Sequence, residues 1–203
     1  MKDYKVSCRR ATPHDDIAAI AKYLHLTDAY IYPVICSDPC AELWRNIVTD
    51  CYFAQNNIFS MENIVVAQMD DEIVGVLCVI ACGQRKRFME DVSKKWHCDG
   101  LHQANQGYFV PLIEESADMQ GYNVTNVCVD AQMRGKGVGG ALLQYCMDLY
   151  AGSVLHLDVI ADNAPAIRLY EKMGFSVCAQ YNGFSGTDEP LPCYHMEANF
   201  AQG

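Results

Sequence analysis

Several absences narrow what this 203-residue chain can be. No apolar run approaches the ~20 residues needed to cross a bilayer, so no membrane role is expected. The opening MKDYKVSCRRATPHDD is too polar for a secretory leader, which makes the cytoplasm the expected compartment. Positive charge is scarce: 15 lysines and arginines face 25 aspartates and glutamates, a formal net charge of −10. A nucleic-acid backbone demands a basic face, so nucleic acid is not expected as a partner; the acidic balance favours cationic or amine partners. CxxC is also absent. The spacings Cys36/Cys40 and Cys78/Cys82 and the pair His97–Cys98 fit no zinc pattern, and no metal is expected.

What is present is a globular composition, 51% apolar and 20% charged, which excludes disorder. The length suits one domain with a full core, and neither an internal repeat nor a dividing linker breaks it. The eleven cysteines are odd in number, and several sit in apolar runs: Cys78 and Cys82 in IVGVLCVIAC, Cys128 in NVCVD, Cys146 in LLQYCMDLY. In such places a thiol behaves as a small hydrophobe, not as half of a disulfide framework.

Along the chain, residues 4–10 (YKVSCRR) read as a strand. ATPHDDIAAIAKYL opens a helix with Thr12 as N-cap, Pro13 at N1 and Asp15 at N3; Ile17, Ile20, Ala21 and Leu24 form its buried stripe. A second helix starts at Asp38–Pro39. NIVVAQMD and EIVGVLCVIA are strands joined by a hairpin turn at Asp70–Asp71. Residues 83–121 are polar, hold no clean strand and read as a helical insertion or lid. VTNVCV is a strand, a glycine loop follows, and a helix runs to about Tyr150. SVLHLDV is a strand, and NAPAIRLYEKMGF a helix stopped by Gly174. SVCAQY and PCYHMEANF are the closing strands. The whole is one α+β domain, residues 1–203, around a central sheet.

The loop QMRGKGVGGALLQY raises the chemistry. Gly135, Gly137 and Gly139, alternating with Arg134, Lys136 and Val138, bare the backbone beside two cations at the mouth of a helix. Bare amides, a helix dipole and two cations suit a phosphate. A P-loop is excluded because no Ser or Thr follows Lys136. A dinucleotide fold finds its GxGxxG in Gly135, Gly137 and Gly140, with Asp158 near the ribose-binding position. Yet five residues, Asp130 to Arg134, separate strand from glycine, where that fold allows almost none.

VTNVCVDAQMRGKGVGGALL resembles the acetyl-CoA-binding signature R/Q-x-x-G-x-G/A of the GNAT family of N-acetyltransferases, met by Arg134, Gly137 and Gly139. LDVIADNAPAIRLYEKMGF resembles the same family's N-x-x-A-x-x-L-Y-x-x-x-G-F, met by Asn163, Ala166, Leu169, Tyr170, Gly174 and Phe175. The close match covers roughly residues 124–181. It implies a mixed, mostly antiparallel twisted sheet of about seven strands flanked by helices, its fourth and fifth strands splayed, with acetyl-CoA as co-substrate.

Carried onto this chain, the resemblance implies that Val127, Cys128 and Val129 pair with the pantetheine arm. An amide among them would polarise the thioester carbonyl. The amides from Arg134, Gly135, Lys136, Gly137, Val138, Gly139 and Gly140 would cradle the pyrophosphate. Asn163 would contact the pantetheine arm, with Ala166 on the same face, and the Tyr170 hydroxyl would lie near the sulfur. At an ordinary pKa of about 10, against about 8.5 for a thiol, Tyr170 would give up its proton at a cost of roughly 2 kcal/mol. It is therefore expected to donate a hydrogen bond to the departing sulfur. The base is left among Glu114, Glu115, Asp130 and His156. Asp28 and Tyr32, in YLHLTDAYIYP, are expected to line the acceptor pocket. The acceptor is a small-molecule or peptide amine, and a homodimer is among the expected states because dimers are common in the family. A non-catalytic acyl-CoA-binding module and a dinucleotide-binding oxidoreductase are the alternatives.

Overall fold

Strands with both faces covered lose the clean polar–apolar alternation of a half-exposed sheet. IVVAQM and EIVGVLCVIA are of this kind, buried along almost their whole length. In the computed structural model, which describes residues 5–27, 41–55, 57–84, 119–183 and 190–199, they belong to one seven-stranded sheet. Its strands are β1 (Ser7–Arg10), β2 (Ile64–Met69), β3 (Glu72–Ala81), β4 (Tyr122–Val129), β5 (Val154–Ile160), β6 (Ser176–Gly183) and β7 (Leu191–Asn199). The spatial order is β1-β2-β3-β4-β5-β7-β6. Only β4 and β5 run parallel; every other neighbouring pair is antiparallel. Among the described residues four α-helices flank the sheet: α1 (Ile17–Thr27), α2 (Ala41–Tyr52), α3 (Val138–Leu149) and α4 (Ala164–Lys172). The α+β architecture and mixed seven-stranded sheet are as expected.

Two apolar layers follow from the strands' two faces. Ile64, Val66, Val76, Cys78 and Ile80 pack under α1 and α2 against Ile20, Leu24, Ile47 and Tyr52. Val65, Ala67, Leu77, Val79, Leu155 and Leu157 pack on the other side against Leu142, Leu143 and Cys146 of α3 and Tyr170 of α4. The hairpin turn falls at Asp70–Asp71, with φ of 49° and 65°, the left-handed pair that a two-residue hairpin loop takes. Gly174, at φ 93°, stops α4. No described helix is long and apolar enough to cross a membrane.

The first helix departs from expectation. Thr12 does not cap it; Asp16 does, its Oδ1 accepting from the amides of Ala18 (2.9 Å) and Ala19 (3.1 Å). Asp15, ahead of the helix, accepts from the Thr12 amide (2.7 Å), the acid's half of a capping box, and also from the Arg9 guanidinium (2.8 Å). That turn closes before α1, whose own first amides are taken by Asp16. The buried stripe is Ile20, Ala21, Tyr23 and Leu24, with Ile17 only partly covered. Residues 85–118, most of the expected insertion, lie outside the described residues. So do Asp28, Tyr32, Asp38, Pro39, Glu114 and Glu115.

Candidate active site

The site begins where two strands part. Strand β4 keeps its ladder with β3 from Tyr122 to Val129, but meets β5 only at Tyr122↔Leu155 and Asn123↔His156. Beyond those two rungs the parallel pairing stops, leaving Val127, Cys128 and Val129 along one margin and Leu157 to Ile160 along the other. A bulge sits at the fork. The β3–β4 register shifts between Val76 and Cys78, and Asn126 there takes φ 52°, a left-handed conformation that asparagine tolerates better than most residues. Its Nδ2 donates to Thr27 Oγ1 (2.7 Å) at the end of α1, and its Oδ1 accepts from Thr125 Oγ1 (3.1 Å). The bulge is thus tied to the helix beside it. Cys128 is buried, and burial pushes its thiol up, so it stays protonated.

Next to the fork lies the glycine turn. Asp130 accepts from the Gln132 amide (2.9 Å) and starts a short 3₁₀ turn, Ala131–Met133. The glycines that follow have different reasons to be glycine. Gly135 (φ 76°) and Gly137 (φ 84°) need the left-handed region, and a Cβ on either would meet nothing within 4 Å. Gly139 instead lets α3 approach α4: a Cβ there would come 2.9 Å from Leu169 Cδ2. Gly140 has neither reason. Its φ is unremarkable and the space where its Cβ would stand is open. The amides of Val138, Gly139 and Gly140 begin α3 and have no carbonyl four residues back inside the helix. Arg134 and Lys136 are exposed beside them. Open backbone, leading amides and two cations fit a diphosphate.

Helix α4 supplies the next two groups. Asn163 lies one residue ahead of the helix as its N-cap, with Oδ1 accepting from the Ala166 amide (3.3 Å). Its Oδ1 is therefore committed to capping. Tyr170 is 7% exposed, with its ring edge-on to Phe175 at 6.1 Å. Burial pushes its hydroxyl up to about 12. Against a thiol near 8.5, handing over that proton costs about 5 kcal/mol, well above the figure for an unburied tyrosine. The hydroxyl is fitted to donate a hydrogen bond and keep its proton.

Of the four base candidates, two are described. Asp130 is held below the usual carboxylate range by the Gln132 amide, assisted by the Tyr23 hydroxyl and the charges of Lys22 and Arg134, which makes it a weak base. His156 is buried in a chain of contacts. Its Nε2 lies 3.1 Å from the Gln120 carbonyl oxygen and its Nδ1 3.3 Å from His195 Nε2. His195 Nδ1 in turn meets Asp158 Oδ1 at 2.8 Å. Nothing in the sequence marks His195, which stands 37 residues from Asp158; only the register between β5 and β7 unites them.

Residues 32–175 match the family described as Acetyltransferase (GNAT) family. Among similar proteins is the N-alpha-acetyltransferase RimI of Mycobacterium tuberculosis, 36% identical over 70 residues, which are 33% of this chain and 44% of that protein. The spermine/spermidine N(1)-acetyltransferase of Bacillus subtilis is 37% identical over 59 residues, 27% of this chain and 36% of its own. The chain spans less than half the length of these curated relatives. The fold is similar to that of an N-acetyltransferase from Staphylococcus aureus Mu50, at TM-score 0.71 and 18% identity over 95% of this chain and all of that one. It is also similar to that of yncA from Salmonella typhimurium, solved with its cofactor acetyl-CoA, at TM-score 0.57 and 16% identity over 98% of this chain and 95% of the other.

Proposed function

The chain belongs to the acetyltransferase (GNAT) family, and from that footing we propose that it is an N-acetyltransferase, moving the acetyl group of acetyl-CoA directly onto a primary amine of a small molecule or peptide. The observation that carries this reading is the parting of β4 from β5 beside the left-handed glycine turn that opens α3. An opening between two strands next to a turn of bare amides suits a molecule with an amide-bearing arm and a diphosphate. The relatives' names, N-alpha-acetyltransferase and spermine/spermidine N(1)-acetyltransferase, favour an amine as acceptor.

In this reading each group has one task. The amides from Arg134 to Gly140, with the Arg134 and Lys136 charges, grip the diphosphate. Val127, Cys128 and Val129 offer their backbone to the pantetheine arm as a neighbouring strand would. An amide of that stretch polarises the thioester carbonyl. Asn163, its Oδ1 engaged in capping, turns its Nδ2 to the arm. Acetyl-CoA supplies the activated acyl group, so no enzyme nucleophile is needed and positioning provides much of the acceleration. Tyr170 stabilises the departing sulfur by donating a hydrogen bond from a hydroxyl that burial keeps protonated.

The test is thiol release from acetyl-CoA across alkylamines, polyamines, amino acids and peptides, with the parent protein and with Tyr170→Phe. The parent should release thiol with at least one amine class. The variant should lose roughly 100-fold in kcat while its KM for acetyl-CoA stays put. A parent silent with every class, yet still binding coenzyme A, would show a binding module instead.

A further inference from the structure

On the sheet face opposite α3 and α4, strands β5 and β7 bring together three ionisable side chains that the groups above do not use. Leu155, Leu157 and Val159 face the α3 layer, so His156 and Asp158 point the other way. His195 stands directly across from Asp158 in register. The chain of contacts runs from Asp158 Oδ1 to His195 Nδ1 (2.8 Å), from His195 Nε2 to His156 Nδ1 (3.3 Å), and from His156 Nε2 to the Gln120 carbonyl (3.1 Å). The two rings are 21° from parallel with centroids 5.4 Å apart. His156 and His195 are 5% and 4% exposed, and the Asp158 side chain 13%.

The two ends of this chain fix its protons. A carbonyl only accepts, so His156 Nε2 carries a proton and Nδ1 of the neutral ring is an acceptor. An ionised carboxylate also only accepts. His195 therefore stands between two acceptors, and its neutral ring has one proton to offer them. One contact is then a proton short. A single added proton completes both and takes the chain from one negative charge to none. Such a set is a buried seat for one proton.

We propose that this seat is the proton acceptor of the reaction: it takes, through Asp158, the proton that the amine must lose before acetyl transfer. This rests on the N-acetyltransferase reading. Asp158 lies two residues past the last β4–β5 rung, on the margin where the strands part, and is the most exposed of the three. An alkylammonium of pKa about 10.4 must otherwise lose its proton at pH 7 at a cost of roughly 4.6 kcal/mol. Here an N–H bond of the ammonium breaks and an O–H bond to Asp158 forms. The proton settles between Asp158 and His195 while His195 Nε2–H turns to His156 Nδ1. A cation and an anion both become neutral, an exchange that a water-poor cleft favours. The freed lone pair attacks the thioester carbon, the C–N bond forms and the C–S bond breaks. The second amine proton goes to the thiolate, and the seat returns its proton to solvent between turnovers.

Among the described residues of β4 to β7, the other titratable groups on this face are Cys128 of β4, Cys193 and Glu197 of β7, and Cys178 and Tyr181 of β6. Asn123 of β4, opposite His156, does not titrate. Burial first, then Glu197 and Asp158, push the Cys178 thiol up; burial first, with Asp158 adding to it, pushes up that of Cys193. Neither thiol competes for the proton near neutral pH.

The test compares the parent with His195→Asn, which keeps a donor toward Asp158 but cannot titrate. We would measure kcat/KM from pH 6 to 10 with an alkylamine (pKa about 10.4) and an α-amine (pKa about 8). The variant should lose about 100-fold with the alkylamine at pH 7, less with the α-amine, and the deficit should shrink toward pH 10. A deficit that is equal at every pH and for both amines, or no deficit, overturns the assignment. If His195→Asn melts far below the parent, Asp158→Asn takes its place under the same criteria. Apart from turnover, ¹⁵N-histidine resonances of the parent without acetyl-CoA should show His156 and His195 taking up one proton jointly; two independent titrations would also overturn it. A parent that acetylates no amine removes the N-acetyltransferase reading itself. An active parent with an unchanged pH profile in the variant removes only the proton seat.

Discussion

Tyr170 and Asp15 are pushed in opposite senses by their surroundings, and each is held in one protonation state near neutral pH. Burial raises Tyr170, so it remains neutral. For Asp15 the hydrogen bond from Arg9 outweighs burial and holds the carboxyl below its ordinary value, so it remains charged. Because the folded-state pKa is depressed, the stability that Asp15 contributes is full above the unfolded value near 3.9. It drains away as pH falls through the folded value. The Asp15 side chain is 6% exposed and that of Arg9 35%, so the pair is worth less than a fully buried one. Asp15→Asn should cost roughly 2 kcal/mol at pH 7, and the gap to the parent should narrow when urea melts are repeated near pH 3. An equal gap at both pH values would remove the ion pair as its cause.

Among the elements, the turn into α3 separates fold from function at single positions. Gly140 meets no steric or dihedral requirement, and glycine in a helix is worth up to ~1 kcal/mol less than alanine. Gly140→Ala should therefore raise the melting temperature slightly while weakening coenzyme A binding, read by calorimetry. Unchanged or tighter binding would mean that the backbone there does not face the diphosphate. Much of this arrangement could be read from residues alone. The glycine turn and the N-x-x-A-x-x-L-Y block fix two strand–helix units, and the Asp70–Asp71 pair fixes a hairpin. The misreadings share a cause, which is contact across the chain. Asp15 looks like a first-turn helix residue until Arg9 is seen to share its carboxylate, and Asn126 looks like an ordinary strand residue until Thr27 holds it in a bulge. His195 gains meaning only opposite Asp158. No local period encodes a partner 37 or 99 residues away.

At the scale of the whole molecule, charge is the property that acts farthest. A net −10 raises the local concentration of cations around the protein, an effect that fades beyond a Debye length of about 10 Å at 0.1 M salt. For a polyamine acceptor KM should climb as salt rises from 10 to 300 mM, with kcat nearly constant. An acceptor whose amine is its only charge should respond much less. Identical salt curves for the two would assign no steering role to the acidic surface.

The fork between β4 and β5 has one more consequence. A strand that leaves its neighbour loses ladder partners along one edge, here at Val127–Val129 in the interior of the sheet and not at its rim. Such a seam invites the extended segment of any other polypeptide to insert and zip up. A ligand lying along it would act as a plug as well as a reactant, and would shift the folding equilibrium by mass action. Cells short of coenzyme would then leave this protein more prone to clump.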